Sequence, residues 1–283
     1  MKYKKFILGV IAFILLLFFG FLLMQPLLIK AVKAKFKSTD HFLVLQEDTR
    51  IFYEETAKKN ALILAGILPS SKSSVERILK NTFKRPIEVY ICSTQEVFNE
   101  YVFLSKNVRG AVYWEKVFLS PGAFSRGSLD DLVQHELTHY LFYSHIGEKA
   151  HIKSVPLWFR EGIAVFVANG GESYTKHAEV YGVMSNQERK AYLSGETDFW
   201  FKTTNIQDAV TSSGVANWLL YRVGGLFVHF MHASGPDKFD ALVQRLLIGE
   251  SFDTAVQLSY NRGIENLHAE FSEYLQTHTQ KIR

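Results

Sequence analysis

Asp131-Leu132-Val133-Gln134-His135-Glu136-Leu137-Thr138-His139-Tyr140 is the stretch on which the reading of this chain turns. It contains the pattern H-E-x-x-H. In a helix, residues four apart lie one turn apart on one face, so the imidazoles of His135 and His139 can reach the same ion. Glu136, next to the first histidine, projects beside that ion and can take a proton from water held there. The surroundings predict a helix. Ser128 followed by Asp131 is an N-cap signature. Leu129, Leu132, Val133, Leu137, Tyr140 and Leu141 form an apolar stripe that can pack and hold the histidines rigidly.

A catalytic zinc takes three protein ligands and keeps a fourth position open. Downstream, Pro156-Leu157-Trp158-Phe159-Arg160-Glu161-Gly162-Ile163-Ala164 supplies a carboxylate on a second predicted helix. H-E-L-T-H followed some twenty residues later by P-x-W-x-x-E-G-x-A resembles the gluzincin metallopeptidases, the thermolysin and aminopeptidase clan, and within it the small bacterial peptidase MA-like proteins. The segment Tyr221-Arg222-Val223-Gly224-Gly225-Leu226-Phe227-Val228 and the following Gly235-Pro236-Asp237 resemble a later helix and loop of that family. The resemblance implies Zn2+ as cofactor, with His135, His139 and Glu161 as ligands and Glu136 as general base. It implies a tyrosine that stabilises the oxyanion, which falls on Tyr221, where a packing role reads equally well. It implies a peptide or protein substrate. The strand 110–119 could form the edge of the cleft and align an extended peptide by β-addition.

The sequence also departs from the family. The aminopeptidase motif G-x-M-E-N is absent before His135, so exopeptidase action is unsupported. Val165 stands four residues after Glu161, where thermolysin has an aspartate that orients a histidine. His145, His151, His229 and His232 read as surface or hydrogen-bonded histidines outside the ligand set, Trp158 as packing between the two motif helices, and Arg160 as solvated or ion-paired. The rival reading is a zinc-binding, catalytically silent membrane-anchored interaction protein of the same fold. Intact Glu136 argues against it, because a pure binding site has no need of a base.

Composition narrows the class. The chain has 283 residues, 47% hydrophobic and 21% charged, with a formal net charge of +4, values of an ordinary folded protein without a nucleic-acid-binding signature. Its one cysteine, Cys92, excludes an intramolecular disulfide and reads as a buried, inert thiol in a strand.

The uncharged run FILGVIAFILLLFFGFLLMQPLLI at 6–29 predicts an uncleaved transmembrane anchor, with the domain outside the cytoplasm. The division expected is 1–37 as anchor and basic juxtamembrane segment, then 38–283 as a gluzincin-like domain, itself split into an α/β lobe (38–127) and a helical lobe (128–283). Strands are expected at 41–45, 87–91 and 110–119. Helices are expected at 47–68, from about 75 to 83, at 94–104, and through most of the chain after Ser128, with a turn at Ser70-Ser71-Lys72-Ser73-Ser74. The fold class expected is α+β: the transmembrane helix, a small mixed lobe, then a mainly helical lobe with the zinc in the cleft.

Overall fold

The structure, a computed structural model, describes residues 26–102, 108–168 and 217–280, together with a few single positions. The first described helix, α1 (Pro26–Phe36), precedes two short strands, β1 (Leu43–Val44) and β2 (Ile51–Tyr53). A 3-10 turn (Glu55–Ala57) leads into the long helix α2 (Lys58–Leu79), followed by β3 (Val89–Ile91) and α3 (Gln95–Tyr101). The hairpin β4 (Gly110–Tyr113) and β5 (Lys116–Leu119) completes the sheet. Seven helices then follow among the described residues: α4 (Leu129–Ile146), α5 (Glu148–Ser154), α6 (Leu157–Ala168), α7 (Asn217–Ala233), α8 (Pro236–Leu247), α9 (Phe252–Tyr260) and α10 (Ile264–Gln280).

The sheet order is β1-β2-β3-β5-β4, with β2, β3 and β5 parallel and β1 and β4 antiparallel to their single neighbours. Side chains alternate across a strand. Ile51, Val89, Ile91, Val117 and Leu119 therefore enter the main core with α2, α4 and the later helices. Tyr90, Phe118 and Cys92 turn to the opposite face, where Phe98 and Tyr101 of α3 cover them. The main core is continuous from Leu45 to Phe271.

Several expectations need correction. The described chain is mainly helical with a small sheet, its strands having two to four residues while its helices run up to 22, and the transmembrane helix of the expected fold is not among them. The expected membrane span at 6–29 lies mostly outside the described residues. Among the described residues no helix is long and apolar enough to cross a membrane. The helix at the end of that run, α1, has 11 residues and carries Lys30, Lys33 and Lys35. At about 1.5 Å rise per residue it is about half the length needed. The single-pass anchor and the extracytoplasmic location drawn from it are therefore withdrawn.

The predicted helix at 47–68 begins later, at Lys58, because Ile51–Tyr53 pairs in parallel with β3 instead. The predicted serine turn is helical. α2 runs through Pro69, and Ser70 and Ser71 donate their hydroxyls to Ile67 O at 2.8 and 3.0 Å while Ser73 donates to Pro69 O at 2.9 Å. Back-bonding of this kind satisfies hydroxyls inside a helix.

Candidate metal centre

Helix α4 starts where the sequence predicts. The Ser128 hydroxyl accepts the Asp131 N–H at 3.2 Å, and Asp130 and Asp131 set negative charge against the positive end of the helix. Asp130 accepts the Gln134 amide within α4 and lies within hydrogen-bond reach of the Ser71 hydroxyl, whose proton it shares with Ile67 O, which ties α4 to α2. Leu132, Val133, Leu137 and Leu141 are buried in the main core. With one side of the helix fixed in this way, His135 and His139 are held facing α6.

Helix α6 carries Glu161 to meet them. His135 Nε2 and His139 Nε2 stand 3.3 Å apart, and Glu161 Oε2 lies 3.4 Å from the first and 3.5 Å from the second. Among the described residues this is the one cluster of three or more histidine, cysteine or carboxylate side chains able to hold a metal ion. All three side chains are at most 17% exposed.

What positions Glu161 is a contact between two glycines. Among the described residues, helices α6 and α7 form the most extensive helix pair, and they touch backbone to backbone. A Cβ added to Gly162 would lie 2.5 Å from Gly224 O, and one added to Gly224 would lie 2.8 Å from Trp158 O. Trp158 stacks on Phe227 of α7 at 4.9 Å and meets Phe252 of α9 edge-on at 5.5 Å. It therefore packs α6 against the later helices, not against α4 as the sequence suggested. The same crossing brings Tyr221, one turn before Gly224, to a ring-centroid distance of 6.1 Å from His135.

The electrostatics separate the two glutamates. Burial pushes the Glu161 carboxyl up, but the charges and hydrogen bonds of His139 and His135 outweigh it and hold the group well below the usual carboxylate range. Burial pushes Glu136 up to about 7; His135 and Arg109 pull it back while Glu161 adds to the rise. One buried carboxyl is thus a ready anion beside the histidines, and its neighbour exchanges its proton near neutrality. Burial, then the charges of Glu161 and Glu136, raise the Tyr221 hydroxyl well above its ordinary value, so it remains a donor.

The structure therefore brings together His135, His139 and Glu161, with Glu136 and Tyr221 beside them. It also adds residues that sequence reasoning passed over. Gly110 opens β4 against Glu136: a Cβ there would sit 3.1 Å from Glu136 Cγ and 3.2 Å from its Oε1. A glycine inside a strand pattern is the signal for such a close approach. Arg109 supplies a positive charge towards Glu136. Gly162 and Gly224 set the helix spacing.

The other histidines divide. His145 meets Thr82 O at 2.9 Å, as a hydrogen-bonded surface histidine should. His232 packs against Phe166 and Phe239. His151 differs from its expectation: it is fully buried, stacked on Phe142 at 4.7 Å, and among the described residues neither ring nitrogen has a hydrogen-bond partner. Burial, then the charges of His139 and Arg160, lower it well below the ordinary histidine value, so the ring is neutral. Arg160 forms no ion pair among the described residues, and its Nε is buried without a partner.

Cys92 is buried, and burial raises its thiol far above the ordinary value, so it is inert. No protein-family model matches the chain, and no curated protein matches it.

Proposed function

We propose that the chain is a zinc-dependent peptidase of the gluzincin type, with His135, His139 and Glu161 as ligands and Glu136 as general base. The observation that carries this reading is the ligand triangle, with edges of 3.3, 3.4 and 3.5 Å. Ligand atoms bound at about 2.0–2.1 Å around a tetrahedral ion stand about 3.3–3.4 Å apart, so the residues fit zinc without rearrangement. Two imidazoles and a carboxylate are also a donor set of catalytic zinc, with a fourth position left for water or substrate.

When bound, the ion supplies Lewis acidity, acidifying water and polarising a carbonyl. The protein's own residues do the rest. Glu136 accepts the proton of the attacking water on a carboxylate oxygen and delivers it to the nitrogen of the leaving amine. A carboxyl titrating near neutrality suits both transfers. The Tyr221 hydroxyl donates a hydrogen bond to the carbonyl oxygen as that atom becomes negative. Among the described residues β4 pairs only with β5, so its outer edge can add an extended peptide and bring it past Gly110 to Glu136.

The test is metal content and cleavage of casein and a peptide library by the full chain, beside Glu136→Gln. One zinc per chain in both, with cleavage lost only in the variant, is the expected result. Zinc bound by both with cleavage by neither would favour a silent binding protein. No zinc in either would overturn the reading.

A further inference from the structure

The edge strand leads away from Glu136 to a second feature. Between the tip of the β4–β5 hairpin, the end of α4 and helix α5 lies an open groove of about 1200 Å³. Its floor is apolar, formed by Trp114, Ile146, Ala150 and Ile152. Trp114 is 37% exposed and Ile152 48% exposed, an unusual cost for large apolar side chains placed together.

The charges around the floor are not balanced. Of the two acids at the groove, Glu115 pairs with Arg85, while Glu148 accepts the Trp114 N–H at 2.9 Å and keeps its own charge. The lysines outnumber it. Lys149 and Lys153, one turn apart on α5, form no ion pair among the described residues, and two like charges at that spacing oppose each other. Lys35 reaches in from α1, its ammonium 5.2 Å from the Trp114 ring. The groove is an apolar floor beneath three lysines and one glutamate not paired with a cation, a net positive rim that suits an apolar side chain flanked by carboxylates.

Its position selects the occupant. Gly110 lies against Glu136 at the start of β4, and Trp114 follows the end of that strand at Tyr113, in the hairpin turn. At about 3.4 Å per residue, a peptide paired with β4 spans the roughly 14 Å between them with four residues. We propose that the groove is a remote specificity site, binding an apolar residue with an acidic neighbour about four positions from the bond to be cleaved. The proposal rests on the peptidase reading for its orientation, and it names the substrate class: extended peptides carrying an acidic-apolar segment away from the scissile bond.

The test separates the two readings. The full chain carrying Glu136→Gln and loaded with zinc is titrated with two fluorescein-labelled dodecapeptides, one bearing Asp-Phe-Glu and one bearing Lys-Phe-Lys four residues from the centre. Fluorescence anisotropy should show the acidic peptide binding at least tenfold more tightly. Adding Lys149→Glu and Lys153→Glu, both exposed positions, should abolish or reverse that preference while zinc content and circular dichroism stay unchanged. Equal binding of the two peptides, or a preference that survives the charge reversal, would overturn the proposal. Laurate bound at the groove with neither peptide held would overturn it too, assigning the floor to an acyl chain. A preference that is present although the wild type cleaves no peptide would sink the peptidase reading and leave the groove a peptide-binding site.

Discussion

The middle and the end of helix α4 face opposite demands. At its middle, His135, Glu136 and His139 are closed in by α2, α6 and β4, and the ligand atoms sit within a few tenths of an ångström of a regular triangle. At its end, Ile146 and Gly147 open onto a wide groove with exposed apolar and cationic side chains. One helix therefore carries an enclosed cluster of possible metal ligands and, at its end, an open surface of mixed character. Chemistry needs fixed atoms, whereas recognition along an extended chain needs area and charge.

The contrast can be broken most severely at the proposed zinc ligands. Replacing Glu161 or His139 by Ala should reduce zinc content, read by atomic absorption, to a small fraction of one per chain and bring cleavage to background. Glu136→Gln should leave zinc in place and lower kcat by about 10²–10⁴-fold, the range for losing a general base.

Next comes the helix spacing. Gly162→Ala places a methyl group 2.5 Å from Gly224 O, which a backbone atom cannot avoid. It should destabilise the chain by about 1–3 kcal/mol and weaken zinc binding with it, seen in thermal unfolding with and without chelator. Gly66→Ala is its control. Gly66 lies inside α2 with nothing within 4 Å of an added Cβ. The methyl group there should stabilise by about 0.5–1 kcal/mol.

The pH dependence of the zinc-free chain sharpens the same comparison. Glu136 has its folded value raised from 4.5 to about 7. Its contribution to stability is complete below about pH 4.5 and is lost as pH rises through about 7. Glu136→Gln should therefore raise the melting temperature of the zinc-free chain at pH 8 and leave it almost unchanged at pH 4.5. The same effect of the substitution at both pH values would show that the carboxyl is solvated rather than buried. The smallest effect belongs to the groove: Ile152→Ser, at an exposed position, should alter stability by less than about 0.5 kcal/mol.

How much of this was legible in the sequence depends on how local each cause is. The start of α4 could be read because its cap is made within four residues, by Ser128 on Asp131. The histidine spacing could be read because helical geometry alone puts both rings on one face. Glu161 was reached through a resemblance, and its meeting with the histidines depends on packing between α6 and α7 that no local pattern encodes. The short strand Ile51–Tyr53 was missed because it exists through pairing with β3, almost forty residues away. The serines of α2 misled because hydroxyls that favour turns can equally bond back into a helix. His151 was misread because polarity argues for the surface, while its ring is sealed among Phe142 and Tyr143.

The contact between Gly162 and Gly224 has a further consequence for how this chain can vary. Most helix pairs are spaced by side chains, and a change in one partner can be offset by a smaller or larger residue in the other. Here the spacer is main chain on both sides, and no substitution at a neighbouring position can subtract from it. In a saturation library selected for zinc binding, these two positions should accept glycine alone, with no second-site suppressor at the crossing, while the core around them exchanges Leu, Ile, Val and Met freely. The separation between Glu161 and Tyr221 would then be inherited as a fixed length.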